Sequence, residues 1–525
     1  MNSTRILVRT IFVLLPALMA PLQLAAQAAP DQPKHQHYKL IDLGTFGGPL
    51  NYINTGVDLL GPSVNPGSAQ DVNSSGTLTG WADTSIPDPY GPTYCFNGDC
   101  FVSHAFKWRD GFKTDLGVLS GGTSSATTWI SANGLIVGTS QNGQLDPLLA
   151  GFPEDQAVLW RDNEIVNLES LPEGGYESGA QSVNSRGQVV GWAFNTVADP
   201  YSIGGVTGVP LYNFYEPYPY YYQERAFLWQ DGVMQDLGTL GTGTDALAIA
   251  INERGQVIGI SYTSSIPNQE PSPCSAVSTG LLPTVDPFLW ENGKMIDLGT
   301  LGGTCGIPWW VNDRGQVVGS SYLAGDQVSH AFRWTKATGM LDLGTLGGSS
   351  AYAAMINDFG QIVGGASLPD GQFDAFLWDG KMHDLGAIDG CANAFSVNTQ
   401  RQVVGNWGGE KCAEGAFLWE NGGPMVDLNT LVSSSAGLSV AGAIEINDRG
   451  EIVGSACDDG NCYAMLLIPC DQNHPNIEGC DYRFVSTDDL AHASTAWPPR
   501  TFPMGTMPRG FPRPFEMATR GHRQK

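Results

Sequence analysis

The sequence predicts an all-β fold: a β-propeller of four-stranded antiparallel blades, eight in number, closed by pairing between the two ends of the repeat region. Three observations predict it. One unit recurs through most of the chain, with Asp297, Asp342, Asp384 and Asp427 marking copies 42 to 45 residues apart. Each unit holds four short runs of apolar, β-branched or aromatic residues bounded by turn residues, none long enough for a globular helix. The repeat also starts and stops out of phase, which leaves one strand at each end without a neighbour. Four strands in this length match one propeller blade; a solenoid coil needs a shorter period and fewer strands.

The unit is clearest between Leu289 and Ser320. Strand a is Phe288-Leu289-Trp290, cut off by Glu291-Asn292-Gly293, and strand b is Met295 to Leu298. Strand c is Trp309-Trp310-Val311, cut off by Asn312-Asp313-Arg314-Gly315, and strand d is Gln316 to Gly319. The Trp of strand a recurs at 108, 160, 229, 290, 334, 378 and 419. The b strand recurs with Asp42, Asp115, Asn167, Asp236, Asp297, Asp342, Asp384 and Asp427. A carboxylate repeated this often reads as an acceptor for turn N–H groups rather than as an active-site acid. The c–d turn recurs at Asn73, Ser131, Asn184, Asn252, Asn312, Asn357, Asn398 and Asn447, with Gly three residues on in every copy except the one that has Arg401. An Asx acceptor opening a turn and a Gly leaving it define a tight hairpin and hold its register.

Residues 1–28 read as a signal peptide: Arg5 and Arg9, an apolar stretch from Ile11 to Leu24, and Ala26-Gln27-Ala28 as the cleavage pattern. No later segment is apolar for about 18 residues, so no membrane span is expected after cleavage. Residues 38–470 form the repeat domain, entered at strand b through Tyr38–Leu43 and left at strand a through Tyr463–Ile468. Pairing these two completes an eighth blade and removes exposed edges; seven blades with a displaced module is the alternative. The d–a joins are long in the first four units (Trp81–His104, Thr139–Gln156, Trp192–Arg225, Ile260–Asp286) and short in the last four. Joins d–a and b–c share one face, so the four insertions crowd one face over half of the ring, a pattern that marks binding faces. Residues 471–490 read as a disulfide-tied extension. Residues 491–525, with Arg500, Arg509, Arg513, Arg520, Arg523 and Lys525 against Glu516, read as a disordered basic tail.

The formal net charge is −26, although only 15% of residues are charged. This acidic balance argues against nucleic acid as a partner. Ten Cys in an exported chain point to disulfides. Cys95/Cys100 and Cys457/Cys462 read as hairpin staples, and Cys470/Cys480 as a tie after the last strand. Cys391/Cys412 and Cys274/Cys305 each join a b–c and a d–a segment on one face. No CxxC pair or zinc spacing occurs, so neither a metal nor a cofactor is expected.

The triplets His104-Ala105-Phe106 and His330-Ala331-Phe332, each followed two residues on by Trp, and Asp-Leu-Gly-Thr-Leu-Gly-Gly at 297–303 and 342–348, resemble the extracellular HAF-repeat family over residues 38–468. The resemblance implies secretion, extracellular or periplasmic, and a repeat architecture, without a defined activity.

Residues that break the repeat are His104, His330, His383, Asp326, Asp389 and Glu414, but no Ser/His/Asp order or nucleophile elbow joins them. The binding candidate is the third insertion, with Tyr212, Phe214, Tyr215, Tyr218, Tyr220, Tyr221 and Tyr222. Aromatic faces with phenolic hydroxyls suit sugar rings; packing onto the blade tops is the competing reading. The sequence therefore suggests a secreted, non-catalytic module that binds an extracellular ligand, a glycan, surface polymer or protein. The alternatives are a polysaccharide-cleaving enzyme with acids at the central mouth, or a structural or adhesion module.

Overall fold

The computed structural model describes residues 34–486 apart from 55–69, 92–94, 148–150, 163, 173, 200–221, 275–280, 410–411, 421, 433–436 and 459. The signal peptide and the basic tail of the sequence reading lie outside the described residues, as do Tyr212, Phe214, Tyr215, Tyr218, Tyr220 and Tyr221. The fold is an all-β propeller of four-stranded antiparallel units, each running c-d-a-b across its sheet. In the unit numbered four here, c is Ala246–Ile251, d is Val257–Tyr262, a is Val285–Glu291 and b is Lys294–Asp297. Units four and five are joined into one sheet by a single parallel bridge, Val285 to Cys305; the other units are separate sheets. Neighbouring c strands touch, which puts c nearest the axis and b at the rim.

Two devices repeat from unit to unit. Strand c carries a bulge, between Ala248 and Ala250 in unit four and between Pro308 and Trp310 in unit five. The bulge pushes a carbonyl of strand c against the Gly of strand d. A Cβ on Gly259 would lie 2.0 Å from the Leu247 oxygen, and one on Gly319 2.1 Å from that of Ile307. The Gly of strand d is thus a backbone-approach requirement. The Phe of strand a packs over the same Gly: Phe106, Phe288, Phe332 and Phe376 are fully buried.

The second device is a belt of side-chain amides. Asn312 Oδ1 accepts the N–H groups of Arg314 and Gln316, and its Nδ2 donates to the Asn357 carbonyl of the next unit at 3.0 Å. Asn357 passes to Asn398, Asn398 to Asn447, and Asn447 to Asn73, at 3.0, 3.1 and 3.0 Å. The last bond runs from the eighth unit to the first. Where Ser131 lacks an amide, Asn133 Nδ2 reaches the Ser185 carbonyl instead, at 2.9 Å.

Tyr38–Asp42 pairs antiparallel with Cys462–Pro469, in a register running from Tyr38 opposite Pro469 to Asp42 opposite Met465. Glu445 of the last c strand accepts the N–H groups of Asp71 and Val72 at 2.7 and 3.2 Å. Near the axis Trp129 of unit two stacks on Trp310 of unit five, with centroids 5.3 Å apart.

One feature has no counterpart in the repeat pattern. Lys34–Gln36 pairs with Phe484–Ser486, so both ends of the described chain lie side by side. Buried His35 hydrogen-bonds Glu420 at 2.8 Å, and Cys470–Cys480 closes the loop before Phe484. In that loop, burial alone would lower the His474 pKa, but the carboxylates of Glu451 and Asp471 hold it above its ordinary value.

Candidate binding face

The face formed by the d–a and b–c joins is built unequally. In units one to three strand d is ten residues long: Leu78–Pro87, Ile136–Leu145 and Val189–Ala198. Each begins buried and ends with three exposed residues, and each shifts register against strand a at the same place. Three prongs therefore stand above the body. Each tip carries an exposed aliphatic side chain: Ile86 and Val197, at the ninth position of their strands, are 58% and 51% exposed, and Leu145, at the tenth, is 55% exposed. In unit four Ile266 is 74% exposed in the corresponding join. In units six to eight strand d has five or six residues and no such tip.

The aromatic insertion springs from the third prong, between Ala198 and Tyr222. Tyr222, the one described residue of the predicted aromatic set, opens strand a opposite Ala198 and is half-buried. Beneath it lies a group of buried acids, Asp199, Glu224 and Asp245, with Tyr262. Asp245 Oδ1 accepts the Glu224 N–H at 2.8 Å. Among the described residues Glu224 Oε2 and the Tyr262 hydroxyl meet no hydrogen-bonding partner. Burial raises the Glu224 pKa well above the usual carboxylate range, helped by the Asp245 charge, and pushes Asp245 up to about 7. In unit one, burial and the neighbouring Asp99 push Asp83 up to about 8. Among the described residues no group of three or more His, Cys, Asp or Glu side chains is arranged around a single metal position.

The repeated b-strand acid behaves as a turn acceptor. Asp115, Asp297, Asp342 and Asp384 each take the N–H of the Gly two residues on, at 2.7 to 2.8 Å. Opposite this acid stands the residue two before the Phe of strand a, and its identity changes. His104 meets Asp115 and His330 meets Asp342, both at 2.9 Å; Arg225 meets Asp236 at 2.9 Å. In units four and six the position holds Asp286 and Asp374, which face Asp297 and Asp384. Burial, then the facing carboxylate, pushes Asp286 up to about 7 and Asp374 to about 6. These two acids were missed in the sequence reading, although comparing copies at this position would have found them.

The residues weighed for catalysis do not converge. His104 and His330 serve the sockets of units one and five. His383 bonds Asp379 at 2.7 Å in an a–b turn, on the opposite face. Asp326 accepts the N–H and hydroxyl of Thr304 at 2.7 and 2.9 Å. Asp389 is exposed in the join before the seventh unit and Glu414 in the d–a join within it. The five disulfides are Cys95–Cys100, Cys274–Cys305, Cys391–Cys412, Cys457–Cys462 and Cys470–Cys480.

No protein-family model and no curated relative matches the chain. Among solved structures, a puromycin-hydrolysing peptidase of Mycobacterium tuberculosis is similar at 11% identity and a TM-score of 0.39, covering 81% of this chain and 60% of that one. The β-propeller domain of the trilobed protease of Pyrococcus furiosus is similar at 10% identity and a TM-score of 0.32, covering 59% and 77%. An acylaminoacyl peptidase of Pyrococcus horikoshii gives 10% and 0.37, and the aligned part is 50% of that chain. The chain thus spans about half the length of the acylaminoacyl peptidases it is similar to.

Proposed function

We propose that this chain is a secreted, closed eight-bladed propeller of the HAF-repeat type that binds an extracellular ligand on its insertion face, over units one to four. The observation that carries the reading is the row of three prongs, each ending in an exposed aliphatic side chain. Exposed aliphatics clustered at the tips of raised hairpins are costly in water and useful at a contact. The pairing of Tyr38–Asp42 with Cys462–Pro469 and the amide belt returning to Asn73 support closure. Five disulfides support an oxidising compartment. A glycan or surface polymer is the ligand class the aromatic insertion fits, with ring faces for stacking and the acids around Asp245 as acceptors for sugar hydroxyls. The Trp129–Trp310 stack weighs against a cleaving site that runs through the axis.

The test is a glycan array probed with the disulfide-bonded protein, residues 29–525. A saturable hit is expected, lost when 200–221 is replaced by a short Gly-Ser link and weakened at least tenfold by Ile86→Ser with Leu145→Ser, with the melting temperature unchanged. Release of shortened glycan products would overturn the non-catalytic part of the reading. A blank array, with the prong variant still losing capture of a protein partner, would move the ligand class from sugar to protein.

A further inference from the structure

The repeat contains its own control experiment. At the rim of the insertion face the b-strand acid needs a counter-charge, because its Oδ1 is already committed to a turn N–H. Units one, three and five supply one from strand a: His104, Arg225 and His330, each at 2.9 Å. Units four and six place a second carboxylate in the same socket. The charged neighbour acting on Asp286 is Asp297; those acting on Asp374 are Asp384 and Asp370. Two carboxylates in contact repel unless a cation lies between them or they share a proton.

A second observation separates the Asp286 socket from an ordinary acidic cluster, and the Asp374 socket repeats its register in unit six. Asp286 is only 8% exposed, and among the described residues its Oδ1 meets no hydrogen-bond donor. The facing Asp297 is exposed, with Oδ1 holding the Gly299 N–H at 2.8 Å. One wall of the socket is therefore buried and unsatisfied, and the other is open to solvent. Asp374, also 8% exposed, stands beside exposed Asp384, whose Oδ1 holds the Gly386 N–H at 2.7 Å; the buried unpartnered oxygen itself is seen at Asp286.

We infer that the Asp286–Asp297 and Asp374–Asp384 sockets each bind a divalent cation, which takes the place that His or Arg fills in the sister units. Calcium fits best. It accepts carboxylates singly or in pairs in irregular geometry and completes a shell of six to eight oxygens with water, whereas magnesium demands a near-octahedral arrangement. Two carboxylates per site with the remainder water correspond to a weak site, with a dissociation constant on the order of 10⁻⁴ to 10⁻³ M. The inference stands apart from the glycan reading: the sockets lie in units four and six, and unit six has no prong.

The test uses the full mature chain at pH 8, where proton sharing is least. Thermal unfolding is followed while calcium chloride is added, with magnesium chloride and sodium chloride as controls at matched ionic strength. Calcium is expected to raise Tm by on the order of 2 °C at ten times the dissociation constant, and equilibrium dialysis to count two ions per chain at these sockets. Asp286→Asn should remove one ion and part of the rise, and Asp286→Asn with Asp374→Asn should remove both. Asp286→His with Asp374→His should raise Tm without calcium at pH 6 and abolish the calcium response, since the sister-unit pairing is restored. A wild-type Tm that calcium leaves unmoved beyond the sodium control would overturn the inference and leave a shared proton as the account of the pairs. A calcium response of full size in the double Asn variant would overturn it as well, by placing the ion elsewhere.

Discussion

Asn312 performs three tasks with one amide. Its oxygen closes the c–d turn on two N–H groups, and its nitrogen ties that turn to the next unit. Asn312→Ala should cost about 2–3 kcal/mol, because buried backbone groups lose their partners in two units at once. Asn312→Asp should cost at least as much, although it keeps the turn acceptor. The new carboxylate oxygen would face the Asn357 carbonyl and the Gln316 amide oxygen, where a donor stood. Urea unfolding of the pair decides it; an Asp variant as stable as wild type would mean that the inter-unit bond carries no weight. Gly259 is the second residue of this kind. Gly259→Ala forces a methyl into the Leu247 carbonyl and the Phe288 ring, so a loss of about 3 kcal/mol or more is expected in the same assay. Strand d thus needs Gly as firmly as it needs its β-branched residues.

Among the elements, the disulfides differ in what they restrain. Cys274–Cys305 spans 31 residues and ties the d–a join of unit four to the c strand of unit five, beside the only bridge between their sheets. Cys457–Cys462 spans five within one hairpin. Chain-entropy reasoning gives about 3–4 kcal/mol for the first and about 2 for the second. Paired Cys→Ser variants should reproduce that order in chemical unfolding; equal losses would mean that the long tie adds no restraint beyond its own hairpin. The disulfide pairs could be read from the sequence because join lengths and face parity already placed each pair on one side of the fold. The terminal sheet could not. Lys34–Gln36 and Phe484–Ser486 are three residues each, lie outside the repeat, and are held by tertiary partners such as Glu420 rather than by any local pattern.

At the scale of the whole molecule, the buried acids set the pH response. Glu445 and Asp83 titrate at about 8, Asp245 and Asp286 at about 7, and Asp374 at about 6, all raised first by burial. Ordinary unfolded carboxyls ionise near 4, so between about pH 4 and 8 the unfolded chain releases protons that the folded chain keeps. Stability should therefore fall as pH rises through that window, by about 1.4 kcal/mol per pH unit for each acid that stays protonated only in the fold. Below about pH 4 the sign reverses, because paired carboxylates such as Glu291 beside Lys336 are held below their ordinary value and lose that stabilisation on protonation. The maximum is expected near pH 4 to 5, read from melting temperatures across pH 3 to 9 without calcium; a maximum at pH 7 or above would show that these acids ionise freely in the fold. Closure makes the second prediction at this scale. A chain beginning at Leu43 lacks the rim strand of unit eight and exposes the edge of Cys462–Pro469. It should self-associate on size exclusion where the longer chain does not.

Strand periodicity, turn chemistry and the phase of the repeat lie in local sequence, and so the four-stranded antiparallel unit, the pairing of Tyr38–Asp42 with the last strand and the disulfide partners could all be read before any coordinates. A period of two and an Asx-Gly turn are short-range physics, and repetition averages away their errors. The electrostatics were of another kind. The Asp of strand b looks alike in every copy, but whether it meets His, Arg or a second Asp depends on a strand paired across the sheet. The Gly of strand d reads as a flexible link until a bulge in strand c brings a carbonyl against it. The aliphatic tips become a row only when three hairpins rise on one face. Contacts between strands far apart in sequence, and the burial that shifts an acid, exist only once the chain has folded, and tertiary structure alone decided them.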